Sequence, residues 1–223
     1  MYRYIFDIGG VLVKYDHEKE LKFLTASGTY DPEAIEKLFT HELICTMETG
    51  KIPVTEFYEE YLQQVMPDIT YETWVDKYTE YFEMNPEGFE LMLALKRAGR
   101  KIYLLSNLAE YHKVAIGRKI PGFFGHCEQR FLSFEMGCRK PEPEIYRRVI
   151  EEIGEEPENL VFFDDLPQNI EGAKKAGIKG IVFSNERIGE ICKQVEMLET
   201  GKPETASDWN LGGFHQPKIA QNG

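Results

Sequence analysis

The stretch Tyr2-Arg3-Tyr4-Ile5-Phe6-Asp7-Ile8-Gly9-Gly10-Val11-Leu12 sets the reading of the whole chain. Its aromatic and aliphatic start stops at an aspartate and a Gly-Gly turn, the pattern of a strand that ends in a tight turn. Working outward, apolar runs closed by Gly, Pro, Asn or Asp recur at 101–105, 127–132, 159–163 and 179–183. Helical stretches fall between them. These are 86–98, with Asn85 as N-cap, Pro86 at the first helical position and Gly99 just past the end; 142–153, closed by Gly154; and 168–176, closed by Gly177. Strand and helix in alternation predict an α/β fold with a parallel sheet between two helical layers. The carboxyl ends of such strands open onto one crevice, where residues remote in sequence meet.

Residues 16–84 break the alternation. They offer no convincing strand, while Phe57, Tyr58, Tyr61, Leu62 and Val65 fall at helical spacing, and Asp31-Pro32-Glu33 and Thr70-Tyr71-Glu72 read as helix starts. About four helices are expected, enough for a bundle with its own core. The predicted organisation is therefore an α/β core from 1–15 and 85–200, a helical cap at 16–84 over the strand ends, and a flexible tail at 201–223. The aromatic stripe Tyr71, Trp74, Tyr78, Tyr81 and Phe82 reads as cap core in preference to a dimer face. Oligomeric state is not legible.

With 42% hydrophobic residues in 223, one good core and a smaller satellite can be buried. The formal charge of −12 leaves no basic stripe for a phosphate backbone, so nucleic acid is excluded as the expected partner, and an anionic substrate needs a local cation. Cys45, Cys127, Cys138 and Cys192 form no C-x-x-C pair and have no zinc-type spacing with histidine, so reduced thiols and a cytoplasmic location are expected. No signal peptide and no membrane-spanning run is read.

Four segments end predicted strands with polar groups. Asp7 before the Gly-Gly turn would be held rigidly at the crevice floor, where a carboxylate can attack phosphorus; aspartate is equally a good turn residue there. Asp164 and Asp165 are adjacent carboxylates that repel unless a cation or proton lies between them, and magnesium, a hard ion with oxygen ligands, suits such a set. They also fit an acidic turn before a helix. Ser106, in Leu105-Ser106-Asn107, can offer its hydroxyl and the following amides, starting with that of Asn107, to phosphate, or act as a plain N-cap. Lys140, in Gly137-Cys138-Arg139-Lys140-Pro141, can supply the missing positive charge or stay a solvated lysine.

Together, in order and spacing, these pieces resemble the haloacid-dehalogenase-like hydrolase superfamily: a strand followed by Asp7-x-x-Gly10-Val11-Leu12, then Leu105-Ser106-Asn107, then Ser133 to Glu142 with Lys140-Pro141, then Phe163-Asp164-Asp165 with Asn169-Ile170-Glu171-Gly172-Ala173. The resemblance covers residues 1–13 and roughly 86–185. Within the superfamily the chain is most similar to small sugar-phosphate phosphatases of the α-D-glucose-1-phosphate phosphatase type. The likeness implies a Rossmann-like three-layer core, a Mg2+-dependent phosphatase acting on a small phosphorylated metabolite, and an aspartyl-phosphate intermediate. It implies Asp7 as nucleophile, Ser106 and Lys140 as phosphate ligands, and Asp165, supported by Asp164, as metal ligand beside Asp7 and the backbone carbonyl of Gly9.

One position departs from the pattern. Gly9 stands where most phosphatases of the superfamily carry a second aspartate as general acid and base, help worth about 10²–10⁴-fold in rate. A leaving group that needs little protonation, such as an anomeric hydroxyl, would suit its loss. Asp16 and His17 at the root of the cap are candidate replacements. The alternatives are a dehalogenase, disfavoured because that chemistry has no use for the aspartate pair, and a non-catalytic phosphate-binding or regulatory member of the fold.

Overall fold

The computed structural model describes residues 1–16, 19 and 30–201; the 202–223 part of the expected tail, and His17, lie outside the described residues. In chain order the strands are β1 (Arg3–Phe6), β2 (Val13–Tyr15), β3 (Phe82–Met84), β4 (Ile102–Ser106), β5 (Gln129–Leu132), β6 (Leu160–Asp164) and β7 (Lys179–Val182). Five of them form one parallel sheet ordered β5-β4-β1-β6-β7. That is the expected α/β architecture, and its strands match the stretches read from sequence except that β4 and β6 each run one residue further, to take in Ser106 and Asp164. β1, β4 and β6 are buried along their length apart from Arg3, and apolar up to the polar residues Ser106 and Asp164 that end β4 and β6, because helices cover both faces. Alternate residues serve opposite faces. Tyr4, Phe6, Leu104, Val161 and Phe163 join one core cluster, while Ile5, Tyr103, Leu105 and Phe162 join the other with Ile145, Tyr146 and Ile170.

Apart from one short turn of helix at Ser133–Met136 and three 3-10 turns, the described helices are α1 (Pro32–Leu38), α2 (His41–Glu48), α3 (54–65, with a π-helical stretch at Phe57–Leu62), α4 (Tyr71–Tyr81), α5 (Pro86–Arg97), α6 (Glu110–Lys119), α7 (Pro143–Ile153), α8 (Pro167–Lys175) and α9 (Ile188–Thr200). The caps at the two predicted helix starts form as read: Asp31 accepts from the Glu33 N–H and Thr70 from the Thr73 N–H. Asn85 does occupy the N-cap of α5, but its side chain turns elsewhere, donating to the Val11 carbonyl at 2.8 Å and to Asn185 Oδ1 at 3.0 Å.

Two differences from the sequence reading matter for the site. Residues 82–84 are a strand, where no strand was expected, because β2 and β3 pair antiparallel (Val13 opposite Met84, Tyr15 opposite Phe82). Three residues that pair only with a partner about seventy positions away carry no local period to read. This two-stranded stem closes the start and end of the inserted helices, and the Asp16 N–H donating to the Tyr81 carbonyl extends it. Second, the helix expected directly after Ser106 starts later, as α6 at Glu110 with Ala109 at its N-cap, and α9 is not read from the sequence. The aromatic stripe of α4 is core, with Trp74 and Tyr78 fully buried, and its neighbours include Tyr111 of α6, whose ring centroid lies 4.6 Å from that of Trp74.

Candidate active site

The parallel order puts β1 between β4 and β6, so the residues that follow or close these strands share one end of the sheet. Phe6 pairs with Phe163, and the Asp7 N–H donates to the Phe163 carbonyl at 2.9 Å, which sets Asp7 beside Asp164. Asp7 is 6% exposed; its Oδ1 accepts the Ile8 N–H at 2.6 Å, and the Ser106 hydroxyl, near the same carboxylate, favours its charged form. Lys140, 1% exposed, reaches in from the loop before α7 and sets its Nζ 2.9 Å from Asp7 Oδ2 and 2.6 Å from Asp164 Oδ2. One oxygen each from Asp7, Asp164 and Asp165 lie within 4.8 Å of one another.

The paired aspartates divide the work. Asp164 is fully buried and its oxygens take the Leu166 N–H at 2.8 Å, the Asn169 Nδ2 at 3.0 and 3.1 Å, and Lys140. Asp165 is partly exposed and lies against Gly10. A Cβ built on Gly10 would sit 2.3 Å from Asp165 Oδ2, and the φ of +72° there also favours glycine, so the turn is shaped to leave room for that carboxylate. Burial, with help from the Asp164 charge, pushes the Asp7 carboxyl up to about 7 against the pull of Lys140. Burial and Asp164 likewise push Asp165 up. Burial pulls Lys140 down, but the charges of Asp7 and Asp164 outweigh it and hold the ammonium protonated. Three carboxylates against one ammonium leave an excess of negative charge, and an all-oxygen donor set of this kind fits a hard divalent cation such as magnesium.

Of the residues singled out in the sequence, Asp7, Ser106, Lys140, Asp164 and Asp165 converge. Gly9 adjoins them, with nothing within 4 Å of a Cβ built on it. Asn107 is adjacent, but its side chain is committed to the main chain of Lys140, accepting the N–H and donating to the carbonyl, both at 2.9 Å. The amide of Leu108 is bound by Ser133 Oγ at 3.0 Å, so the run of amides after Ser106 is not all open to a ligand. Asp16 is not in the carboxylate cluster; its side chain accepts the Lys19 N–H at 3.0 Å and pairs with Lys19 Nζ at 3.2 Å. Sequence reasoning missed the supports, namely Asn169 on Asp164, Tyr146 on the Asn169 carbonyl at 2.7 Å, and buried Ser133. Asn169 and Ser133 lie inside the quoted motifs, and asking how each buried carboxylate and strand-end amide is satisfied would have found them.

An open parallel sheet with a buried carboxylate and ammonium cluster at its strand ends defines a hydrolase-type α/β site. The chain belongs to the haloacid dehalogenase-like hydrolases, whose family model matches residues 3–177. Among curated relatives, the D-ribitol-5-phosphate phosphatase of Bacteroides thetaiotaomicron is 25% identical over 92% of this chain and 93% of its own. The phosphoglycolate phosphatase of Aquifex aeolicus is 28% identical over 78% of this chain and 81% of its own. Of solved structures, a HAD family enzyme of Bacteroides thetaiotaomicron in complex with magnesium and inorganic phosphate matches with a TM-score of 0.72, at 26% identity over 82% of this chain and 94% of that one. Among the described residues no helix is long and apolar enough to cross a membrane.

Proposed function

We propose that this protein is a magnesium-dependent phosphatase that hydrolyses a small phosphorylated metabolite, a sugar or polyol phosphate, through an aspartyl-phosphate on Asp7. The observation that carries this reading is the Lys140 ammonium bridging Asp7 and Asp164 with Asp165 at hand. In the first step an Asp7 carboxylate oxygen forms a bond to phosphorus and the bond from phosphorus to the leaving oxygen breaks, its electron pair going to that oxygen. In the second, water attacks phosphorus, the acyl-phosphate bond breaks, and Asp7 and inorganic phosphate are regenerated. Lys140, the Ser106 hydroxyl and the backbone N–H of Asn107 orient the phosphoryl oxygens. Asp7, the Gly9 carbonyl and Asp165, with Asp164 in support, would hold Mg2+, which supplies charge neutralisation at the phosphoryl oxygens.

Asp164 acts through others: it anchors Lys140. Gly9 offers no acid, so the leaving oxygen takes its proton from solvent or from elsewhere, and substrates with good leaving groups, anomeric phosphates among them, are favoured. The helices between the β2–β3 stem form the cap over this end of the sheet, with residues 16–84 as the cap and 1–15 with 85–200 as the core. The relatives named above support the substrate class, since each acts on a small phosphorylated compound by its name.

Hydrolysis of p-nitrophenyl phosphate, whose leaving group needs almost no proton, tests the reading directly. Magnesium-dependent turnover that Asp7→Asn reduces by about 10³-fold or more is expected. No turnover by the parent protein with magnesium present would leave a phosphate-binding member of the fold as the better account.

A further inference from the structure

The donors that would receive a phosphoryl group come from two loops. Ser106 and the Asn107 N–H close β4, while Lys140 enters from the loop before α7. One side chain joins the two. Asn107 Oδ1 accepts the Lys140 N–H and its Nδ2 donates to the Lys140 carbonyl, both at 2.9 Å, so a single carboxamide satisfies both main-chain polar groups of Lys140. A paired strand residue offers the same two-way exchange, and a carboxamide can imitate it because it carries an acceptor and a donor side by side. The loop that bears Asn107 is itself tied down. Ser133 Oγ, fully buried, accepts the Leu108 N–H at 3.0 Å and donates to the Leu108 carbonyl at 3.3 Å.

The far end of Lys140 is held by charge instead. Its Nζ lies 2.9 Å from Asp7 Oδ2 and 2.6 Å from Asp164 Oδ2, at the tip of a four-carbon stem with many rotamers. A phosphate entering the site brings negative charge of its own and draws the ammonium toward it. With the main chain clamped to the end of β4, the ammonium answers by turning its stem while the loop stays in place. The donors then keep a set separation before the phosphoryl group arrives, which is what electrostatic preorganisation requires.

We propose that Asn107 is a positioning residue: its side chain locks the Lys140 main chain to the end of β4 and so fixes where the ammonium stands relative to Ser106 and Asp7. The inference rests on the phosphatase reading above. It gives the Asn107 carboxamide a task separate from that of its own N–H, and one exercised wholly through Lys140. A misplacement of about 1 Å in such a donor costs on the order of 10²-fold in rate.

The test is a double-mutant cycle with inorganic phosphate as the probe, its affinity read from the rise in Tm that it produces at saturating magnesium. Asn107→Ala should weaken phosphate by about ten-fold and lower kcat for p-nitrophenyl phosphate by about 10²-fold. Added to Lys140→Gln, the same substitution should weaken phosphate by less than about two-fold more, because no ammonium is left to place. Losses that multiply overturn the proposal, since Asn107 then acts on phosphate or on the fold without Lys140. So does an Asn107→Ala protein within about two-fold of the parent in both affinity and kcat. Acylation by an amine-reactive succinimidyl ester, followed by peptide mass spectrometry, reads the position of Lys140 with that residue intact. Lys140 should react about ten-fold faster in Asn107→Ala than in the parent, and equal rates overturn the proposal. Should Asn107→Ala fail to fold, Asn107→Ser, whose hydroxyl cannot bridge both main-chain groups, carries the same expectations. Phosphate bound as tightly by Lys140→Gln as by the parent strikes the phosphatase reading itself, and this inference with it.

Discussion

At Gly10 an added Cβ would meet Asp165 at 2.3 Å, whereas at the preceding residue, Gly9, it would meet nothing within 4 Å. The two glycines therefore answer different demands. Gly10→Ala combines a clash with a left-handed backbone, and we expect it to weaken magnesium binding by about ten-fold or more, measured by titration of the cation's effect on thermal unfolding. Gly9→Ala should leave that affinity within about two-fold. Gly9→Asp adds a carboxyl in open space, on a backbone without positive φ, and should raise turnover of an alkyl phosphate by about 10²-fold relative to p-nitrophenyl phosphate. If both substrates respond alike, the missing acid is not what limits the parent. With no base at Gly9 to activate water, the second step should limit p-nitrophenyl phosphate turnover, so stopped-flow traces should show a burst that Gly9→Asp removes.

Among the elements, those that carry both an uninterrupted apolar run and turn chemistry were legible. β1, β4 and β6 are buried on both faces, and their ends at Asp7, Ser106 and Asp164 stood out because a polar residue closes each run. The β2–β3 stem was not, since its strands are three residues each and find their partners across the whole insert. The roles of Asn107 and Ser133 were hidden for a related reason: each satisfies main-chain groups of a segment remote in sequence, a pairing that spacing does not encode. α4 was readable as a stripe, but its packing on Tyr111 of α6 was not. Because Trp74 joins the inserted helices to that core helix, Trp74→Ala should cost about 3–5 kcal/mol in denaturant unfolding. A loss below about 1 kcal/mol would mean that the stripe does not hold the seam.

For the molecule as a whole, a formal charge of −12 means that a phosphorylated substrate approaches an acidic surface and depends on the buried cation and the divalent ion at its destination. The charge balance of the site also sets a pH dependence. Asp7 titrates at about 7 in the folded chain against an ordinary value of 3.8, so the metal-free folded state holds a proton that the unfolded chain has released. The stability linked to that proton is fully present below about pH 4 and is lost as pH rises through about 7. Magnesium competes for the same oxygens, so its rise in Tm should be larger at about pH 8 than at about pH 5, and Asp7→Asn should flatten the difference. An equal rise at both pH values would mean that the ion does not bind at Asp7.

Rapid acid quench of the enzyme during turnover of p-nitrophenyl phosphate, followed by peptide mass spectrometry, interrogates the nucleophile itself. We expect a phosphoryl group on the peptide containing Asp7, formed only with magnesium and absent in Asp7→Asn. Full turnover with that peptide unmodified, or undiminished turnover in Asp7→Asn, would contradict the covalent role given to Asp7.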